Sequence, residues 1–212
     1  MTLRQRYDEF IAWSKVNMPS AASELVFRNE YELIVAVILS AQCTDRRVNL
    51  ITPELFQAFP TVKDLAAAGE DEVFEYIKSV SYPRSKAAHL VGMASKVMAD
   101  FDGKIPSGHA ELQTLPGVGP KTASVVSSVA FGAPYIAVDT HVMRVSHRLG
   151  LSSARTPLST EKELESHIAP HLRPIAHHWL ILHGRYVCKA RKPLCGTCGM
   201  QHFCKYYTVT NK

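Results

Sequence analysis

Residues 115–123 of the chain read LPGVGPKTA, with two glycines separated by one residue and a proline on either side. Glycine tolerates positive φ and lets other groups approach its backbone, and Pro120 suits the first position of a helix. We therefore predict a tight corner between a short helix (about 108–114) and a longer one (about 121–130). Amides left unpaired at the start of a helix bind phosphate well. In this corner they would belong to Gly117, Val118 and Gly119.

Lys121 lies just past this corner, where a positive charge opposes the helix dipole. A solvated lysine at a plain helical corner is the simplest interpretation. The alternative is a nucleophilic amine, which needs an activating environment and benefits from a nearby carboxylate. Asp139 is the candidate carboxylate, although its ordinary role at the expected start of a helix is the N-cap. The two roles of Asp139 are compatible, because an N-cap side chain lies at the mouth of its helix.

Four cysteines near the end of the sequence follow the spacing C-x6-C-x2-C-x5-C: Cys188, Cys195, Cys198 and Cys204. Clustered cysteines that stay reduced usually bind metal. Structural zinc sites usually use two separated C-x2-C pairs, and only one such pair is present here. Four ligands in one short loop favour a [4Fe–4S] cluster, but the spacing leaves zinc open. His183 and His202 are possible ligands, yet four cysteines suffice without them.

The C-terminal part of the sequence is basic. The chain has 24 Lys and Arg against 19 Asp and Glu, a formal net charge of +5, and no acidic residue after Glu165. A surface with one sign of charge indicates a polyanionic partner, and nucleic acid is the first candidate. Between the first two cysteines we expect three cations to contact phosphate, with a solvated loop as the alternative. They are Lys189, Arg191 and Lys192.

The rest of the sequence indicates a protein made of helices. The longest apolar run, residues 33–39, is too short to span a membrane, and no signal peptide is visible, so we expect a cytoplasmic protein. A length of 212 residues suits one large domain or two small lobes. Periodic apolar positions predict an all-α fold.

Caps and periodicity predict where these helices begin and end. The expected elements are a helix ending near Asn17, a buried helix at 33–39 with a capping box of Asn29 and Glu32, a helix from Asp45 interrupted or restarted at Pro53, short helices after Thr61 and Asp71, an amphipathic helix at 87–101 stopped by Gly103, a short helix capped by Ser107, a helix from Asp139 to Gly150, a helix capped by Ser159 or Thr160, and a last long helix at 174–187.

Taken together, four segments resemble the endonuclease III family of the helix–hairpin–helix superfamily, whose members are bifunctional DNA glycosylases and abasic-site lyases. The segments are residues 115–123, VDTH at 138–141, HWLILHGR at 178–185 and the cysteine pattern. The resemblance covers residues 32–204. It implies two helical lobes flanking a DNA-binding cleft. Residues 22–133 would form a six-helix lobe with the helix–hairpin–helix motif, and residues 1–21 plus 134–212 would form an iron–sulfur cluster lobe.

The resemblance also implies roles for individual residues. Lys121 looks like the nucleophile, Asp139 like the assisting carboxylate, and the four cysteines like the ligands of one [4Fe–4S] cluster. The implied reaction removes oxidised pyrimidines from duplex DNA and cuts the abasic site by β-elimination through a lysine Schiff base. The implied partner is double-stranded DNA with damaged bases or abasic sites. We expect a monomer in the cytoplasm, associated with the nucleoid.

Two positions depart from the family pattern. Pro120 stands where arginine is common, which removes one basic contact but helps to start the helix. The second departure lies opposite Gln42, which itself resembles the family residue that fills the hole left by an extruded nucleotide. Such extrusion gives enzymes access to a stacked base. Tyr82 stands where an apolar wedge is expected opposite it, and its ring would stack on a base.

Two alternatives remain from the sequence. An adenine glycosylase of the same superfamily would lack the lysine and would have a glutamate near Val37 and a further C-terminal domain. A non-catalytic duplex DNA-binding module with a structural metal would bind DNA through phosphate contacts but leave damaged DNA intact.

Overall fold

A computed structural model of the chain describes residues 1–210, which contain α-helices and short 3₁₀ turns and no β-strand. The helices, numbered in chain order, are α1 (Leu3–Asn17), α2 (Glu30–Ser40), α3 (Asp45–Ala58), α4 (Val62–Ala67), α5 (Glu70–Ile77), α6 (Pro83–Asp100), α7 (His109–Leu112), α8 (Pro120–Phe131), α9 (Thr140–Leu149), α10 (Pro157–His167), α11 (Arg173–Tyr186) and α12 (Lys205–Thr210). The predicted all-α fold is confirmed. Across these residues, no helix has the length and apolar character needed to cross a membrane.

The chain forms two compact units, each with a hydrophobic core of its own. The first unit is Ser23–Phe131 and contains α2–α8. The second unit joins Met1–Ala22 to the part of the chain from Gly132 onward and contains α1 and α9–α12.

Helix α2 is the centre of the first unit, as its continuous apolar run predicts. Every residue from Tyr31 to Leu39 is buried. Asn29 caps the helix, with its side chain accepting a hydrogen bond from the amide of Glu32 at 2.9 Å. The predicted capping box is only half formed, because the carboxylate of Glu32 accepts instead from the amide (2.7 Å) and guanidinium (2.7 Å) of Arg28. The adjacent cation attracts the carboxylate more strongly than a neutral amide does.

Helix α3 runs without a break through Pro53, so the predicted interruption there is wrong. A proline inside a helix costs about 3 kcal/mol through its missing amide and its steric clash. Burial of Val48, Leu55 and Phe56 on one face of α3 offsets this cost, since each buried side chain of this size contributes about 1.5–3 kcal/mol.

Helix α6 ends as predicted, because Gly103 has φ +74° and donates its amide to the carbonyl of Val97 at 3.1 Å.

Four other helix starts differ from the prediction. Helix α6 begins at Pro83, four residues ahead of the predicted range of 87–101. Helix α7 begins after Gly108 with no side-chain cap, so Ser107 does not cap it. Helix α10 begins at Pro157, where Thr156 is the N-cap and forms a capping box with Ser159. The predicted caps were three or four residues late, because Pro157 already takes the first helical position. Helix α5 begins at Glu70, one residue ahead of Asp71.

Helix α1 is anchored in the second unit by aromatic residues. Phe10 packs edge-on against Trp179 of α11, with ring centroids 6.0 Å apart. The indole of Trp179 donates to the carbonyl of Met18 at 2.8 Å, and the hydroxyl of Tyr7 donates to the carbonyl of Leu151 at 2.7 Å. The two contacts of Trp179 fix the position of α11, which leads directly into the cysteine segment.

Candidate active site and metal centre

The glycine-rich corner packs tightly against α6 within the first unit. Gly117 has φ +78°, and a β-carbon at this position would lie 2.9 Å from the β-carbon of His89. One turn further on, a β-carbon on Gly92 would lie 3.3 Å from the ring of Pro116. Glycine is therefore required at position 117 for two reasons, its backbone conformation and the close contact with α6.

The amides of the corner are not equivalent. Val118 is buried and donates its N–H to the carbonyl of Leu115 at 3.1 Å, so the prediction of an unpaired amide is wrong for this residue. The amides of Gly117 and Gly119 donate to no backbone carbonyl in residues 1–210. Gly119 is exposed, and a β-carbon there would meet no atom within 4 Å among residues 1–210. The contacts made within the described part of the chain therefore do not require a glycine at position 119.

Lys121 is the second residue of α8, and it is exposed. Pro120 occupies the first helical position as predicted, and the amide of Ala123 donates to the carbonyl of Gly119 at 2.9 Å. The small residues of α8 are buried, and the helix packs against α2. This rigid support holds the start of α8, so the lysine amine is presented beside the corner amides at the positive end of the helix.

Asp139 belongs to the second unit and caps α9. Its carboxylate Oδ1 accepts a hydrogen bond from the amide of Val142 at 2.8 Å, which confirms the predicted N-cap. The side chain is half-buried, and it follows a short extended segment in which Ile136 and Val138 are buried. The cap bond fixes the carboxylate at the start of the helix.

Gln42 and Tyr82 are both exposed and have left-handed backbone conformations, with φ of +54° and +55°. The hydroxyl of Ser81 donates to the carbonyl of Gln42 at 2.7 Å, so the two loops are in contact. Residues with a β-carbon rarely adopt this conformation unless neighbouring groups stabilise it. Nothing in the sequence indicated it, since neither position is glycine or asparagine.

The four cysteines line one cavity in the second unit, together with apolar residues that include Leu149 and Val187. In the described part of the chain, no three His, Cys, Asp or Glu side chains form a group suited to a single metal ion. Burial raises the pKa of the Cys198 and Cys204 thiols. Thiolates in such a cavity need a positive centre, because the surroundings otherwise favour the neutral form. This donor set therefore fits an iron–sulfur group.

Two further side chains contact the cysteine sulfurs. His183 is buried, its pKa is lowered to about 4 by that burial, and its Nε2 lies 3.6 Å from the sulfur of Cys198. It is therefore neutral. The guanidinium of Arg148 lies 3.5 Å from the sulfur of Cys188. His202, by contrast, is exposed and lies 3.1 Å from the carboxylate of Glu9.

Helix α9 holds the basic loop between the first two cysteines. Arg148 donates to the carbonyl of Lys189 at 2.7 Å and to that of Ala190 at 3.1 Å. Arg144 donates through its Nε to the carbonyl of Cys188 at 3.1 Å. The loop is thus fixed by bonds to its backbone, while its cations are exposed. The exposed cations are Lys189, Arg191 and Lys192.

Two protein families match the chain. Residues 35–170 match the HhH-GPD superfamily base excision DNA repair proteins, and this segment covers more than half of the sequence. Residues 188–204 match the iron–sulfur binding domain of endonuclease III, and this segment begins and ends at the outer two of the four cysteines. The second match identifies the metal centre as an iron–sulfur cluster rather than zinc.

Individual proteins match over nearly the full length. Endonuclease III of Rickettsia felis is 46% identical over 191 residues, which are 90% of each chain. Endonuclease III of Escherichia coli K12 is 39% identical over 198 residues, 93% of this chain and 94% of that one. A solved structure of a trapped covalent intermediate between endonuclease III and DNA superposes with a TM-score of 0.93 at 41% identity and covers 100% of both chains. The chain therefore belongs to the endonuclease III family, within the HhH-GPD superfamily of base excision DNA repair proteins.

Proposed function

We propose that the chain removes oxidised pyrimidines from double-stranded DNA and cuts the strand at the resulting abasic site, acting as a monomer. Its family makes it a base excision repair enzyme, a DNA glycosylase with abasic-site lyase activity, and DNA is its partner. The observation that carries the proposal is the exposed amine of Lys121, which follows directly on a corner where two amides donate to no backbone carbonyl within residues 1–210. An exposed amine beside a phosphate site is suited to attack on a nucleotide.

In this proposal the amine of Lys121, once deprotonated, attacks C1′ of an extruded nucleotide. A bond forms between C1′ and the lysine nitrogen, and the glycosidic bond breaks, with its electron pair leaving on the damaged base. Opening of the sugar ring then gives a Schiff base. Loss of a proton from C2′ expels the 3′ phosphate and cuts the strand. Asp139 stabilises the positive charge that develops on the sugar and accepts protons.

We assign phosphate binding to the corner and to the basic loop. The amides of Gly117 and Gly119 and the positive end of α8 would bind one phosphate. Val118 would support the corner through its buried side chain, because its amide is already bonded. Exposed cations on a fixed loop would bind further phosphates with a strong salt dependence. They are Lys189, Arg191 and Lys192.

We assign the insertion into DNA to Gln42 and Tyr82. Extrusion of a nucleotide leaves a gap in the base stack, and the gap has to be filled for the extruded state to persist. The amide of Gln42 would fill it and hydrogen-bond the unpaired base. The ring of Tyr82, which is 65% exposed, would stack beside it.

Replacement of Gly119 tests the phosphate site. In Gly119→Ala the added methyl group meets no atom of the described residues within 4 Å, so we expect an unchanged melting temperature. It would obstruct a phosphate approaching the corner, and losing one hydrogen bond to a charged group should weaken binding about 10- to 100-fold. The measurement is fluorescence anisotropy with a duplex that contains an abasic-site analogue.

Gly117→Ala is the matched control for this prediction. It should lower the melting temperature, because its backbone has φ +78° and its methyl group would overlap His89. Equal DNA affinity in Gly119→Ala and the unmodified protein would contradict the assigned phosphate site.

We propose that the cluster is of the [4Fe–4S] type, bound by Cys188, Cys195, Cys198 and Cys204. When present, it supplies a rigid cross-link between the ends of the basic loop. The buried His183 and the half-buried Arg148 lie 3.6 and 3.5 Å from cysteine sulfurs, where they would stabilise bound thiolates. Such support is what a permanently bound cluster requires.

The cluster assignment predicts a brown protein with broad absorption at about 400 nm and about four iron atoms and four sulfides per chain. In Cys198→Ser we expect loss of this absorption and a lower melting temperature, because metal binding is coupled to folding. Affinity for duplex DNA should fall as the basic loop loosens. A colourless protein that contains one zinc ion per chain would contradict the assignment.

A panel of duplexes tests the function as a whole. Each duplex carries one lesion, such as thymine glycol, a deaminated base or adenine opposite 8-oxoguanine, and is scored for base release and for strand cleavage. We expect both products from the oxidised pyrimidine. Release of adenine without cleavage would indicate an adenine glycosylase, and binding without release would indicate a non-catalytic module.

A further inference from the structure

Lys86 is a buried cation near the start of α6 in the first unit. Only 5% of its surface is exposed. Its ammonium donates to the carbonyl of Leu39 and to that of Ala41, both at 2.7 Å. Lysine is almost never buried this deeply unless its charge is compensated, because transfer of a charge out of water is costly. Its burial here therefore requires a structural or functional reason.

The two carbonyls bound by Lys86 lie at the end of α2, and that of Ala41 immediately precedes Gln42. The last carbonyls of a helix have no partner within the helix and carry the negative end of its dipole, so an ammonium is well placed there. Gln42 itself has φ +54°, and its carbonyl accepts from the hydroxyl of Ser81 at 2.7 Å. Lys86 and Ser81 thus hold the backbone on both sides of this strained residue.

The same lysine also bonds the second loop. Its backbone amide donates to the carbonyl of Tyr82 at 3.1 Å, and Tyr82 has φ +55° and ψ +51°. Left-handed conformations of residues with a β-carbon persist only when the surroundings determine them. Lys86 is therefore bonded to both strained loops, to one through its side chain and to the other through its backbone.

We propose that Lys86 is a positioning residue that presents Gln42 and Tyr82 as one preorganised pair for insertion into DNA. The inference rests on the proposed function, from which it takes the inserting roles of these two residues. Lys86 is itself buried and does not contact DNA. Because the pair is already ordered before binding, the gap is filled without the cost of ordering two flexible loops.

The test compares base release from two duplexes under single-turnover conditions. In the first, thymine glycol lies opposite adenine. In the second it lies opposite a tetrahydrofuran abasic analogue, so no unpaired base has to be supported and extrusion costs less. We expect Lys86→Met, which keeps the length of the side chain, to release base about 10- to 100-fold more slowly from the first duplex. The rate on the second duplex should stay close to that of the unmodified protein.

A double-mutant cycle separates positioning from simple support of the fold. If Lys86 acts through Gln42, the double variant Lys86→Met, Gln42→Ala should be no slower than Gln42→Ala alone. If the rate reductions of the two single variants multiply in the double variant, the proposal is overturned. The proposal is also overturned if Lys86→Met slows base release equally on the two duplexes, because general destabilisation predicts that pattern.

Ser81→Ala keeps the test decisive if Lys86→Met does not fold. It removes only the bond to the carbonyl of Gln42. We expect it to slow base release from the first duplex but not from the second, by a smaller factor than Lys86→Met does. Suppose that Lys86→Met does not fold and that Ser81→Ala releases base from both duplexes as fast as the unmodified protein does. That result would count against the proposal. An unmodified protein that releases no base from either duplex would instead contradict the proposed function.

Discussion

Lys121→Gln should abolish both strand cleavage and covalent trapping by borohydride. Glutamine has a similar length but no nucleophilic amine, so neither the C1′–N bond nor the Schiff base can form. Removal of a catalytic nucleophile commonly lowers turnover by about four to six orders of magnitude. Because Lys121 is exposed, its substitution should leave the melting temperature nearly unchanged.

The measurement is denaturing electrophoresis of a labelled abasic duplex after incubation with protein and borohydride. Lys189→Gln is the matched control, since it removes an equal charge from another exposed lysine. It should still form the adduct, with only weaker and more salt-dependent binding. An adduct that persists in Lys121→Gln would exclude Lys121 as the nucleophile.

The same experiment separates the enzyme from both alternatives. An adenine glycosylase without the lysine would release a base but form no adduct, and a binding module would do neither. The structure adds an independent argument at Val37, near which the adenine enzyme would have a glutamate. Val37 is buried within α2, whose neighbouring residues Ala36 and Ile38 are also buried and apolar. An uncompensated carboxylate would be costly in these surroundings.

The sequence predicted those parts of the fold that depend on local signals. The apolar run of α2, the glycine stop at Gly103 and the cap at Asp139 each involve residues only a few positions apart, so they can be recognised without knowledge of the rest of the chain. The start of α8 at Pro120 is of the same kind. These features decide where Lys121 and Asp139 lie on their helices.

Two of the wrong predictions concern groups for which more than one local partner was available. Asn29 caps α2 as expected, but the carboxylate of Glu32 is bonded to Arg28 rather than to the cap. The amide of Val118 is predicted to be unpaired, yet it donates a hydrogen bond to the carbonyl of Leu115. In both cases several local solutions were possible, and the sequence alone does not show which one the tertiary contacts favour.

The residues that support the site could not be predicted, because their partners are far away in the sequence. Lys86 bonds carbonyls 45 and 47 positions earlier, and Arg148 bonds carbonyls 41 and 42 positions later. From the sequence, each resembles an ordinary solvated cation on a helix. The residues next to Lys86 in the sequence do not indicate its burial.

Asp139→Asn should lower the rate of base release by about 100- to 10,000-fold without destabilising the protein. The carboxylate is proposed to stabilise the positive sugar and to accept protons, and an amide can do neither. The capping role, however, survives the change. Asn is as good an N-cap as Asp, so its side-chain oxygen can still accept the bond from the amide of Val142. We therefore expect an unchanged melting temperature.

Asp139→Ala completes this test, because it removes the carboxylate and the cap together. We expect the same loss of activity and, in addition, a destabilisation of about 0.5–2 kcal/mol from the lost cap. Single-turnover rates and thermal unfolding of the two variants then separate the two roles of Asp139. If Asp139→Asn were as active as the unmodified protein and only Asp139→Ala were impaired, Asp139 would be a helix cap alone. The developing charge on the sugar would then need another stabilising group.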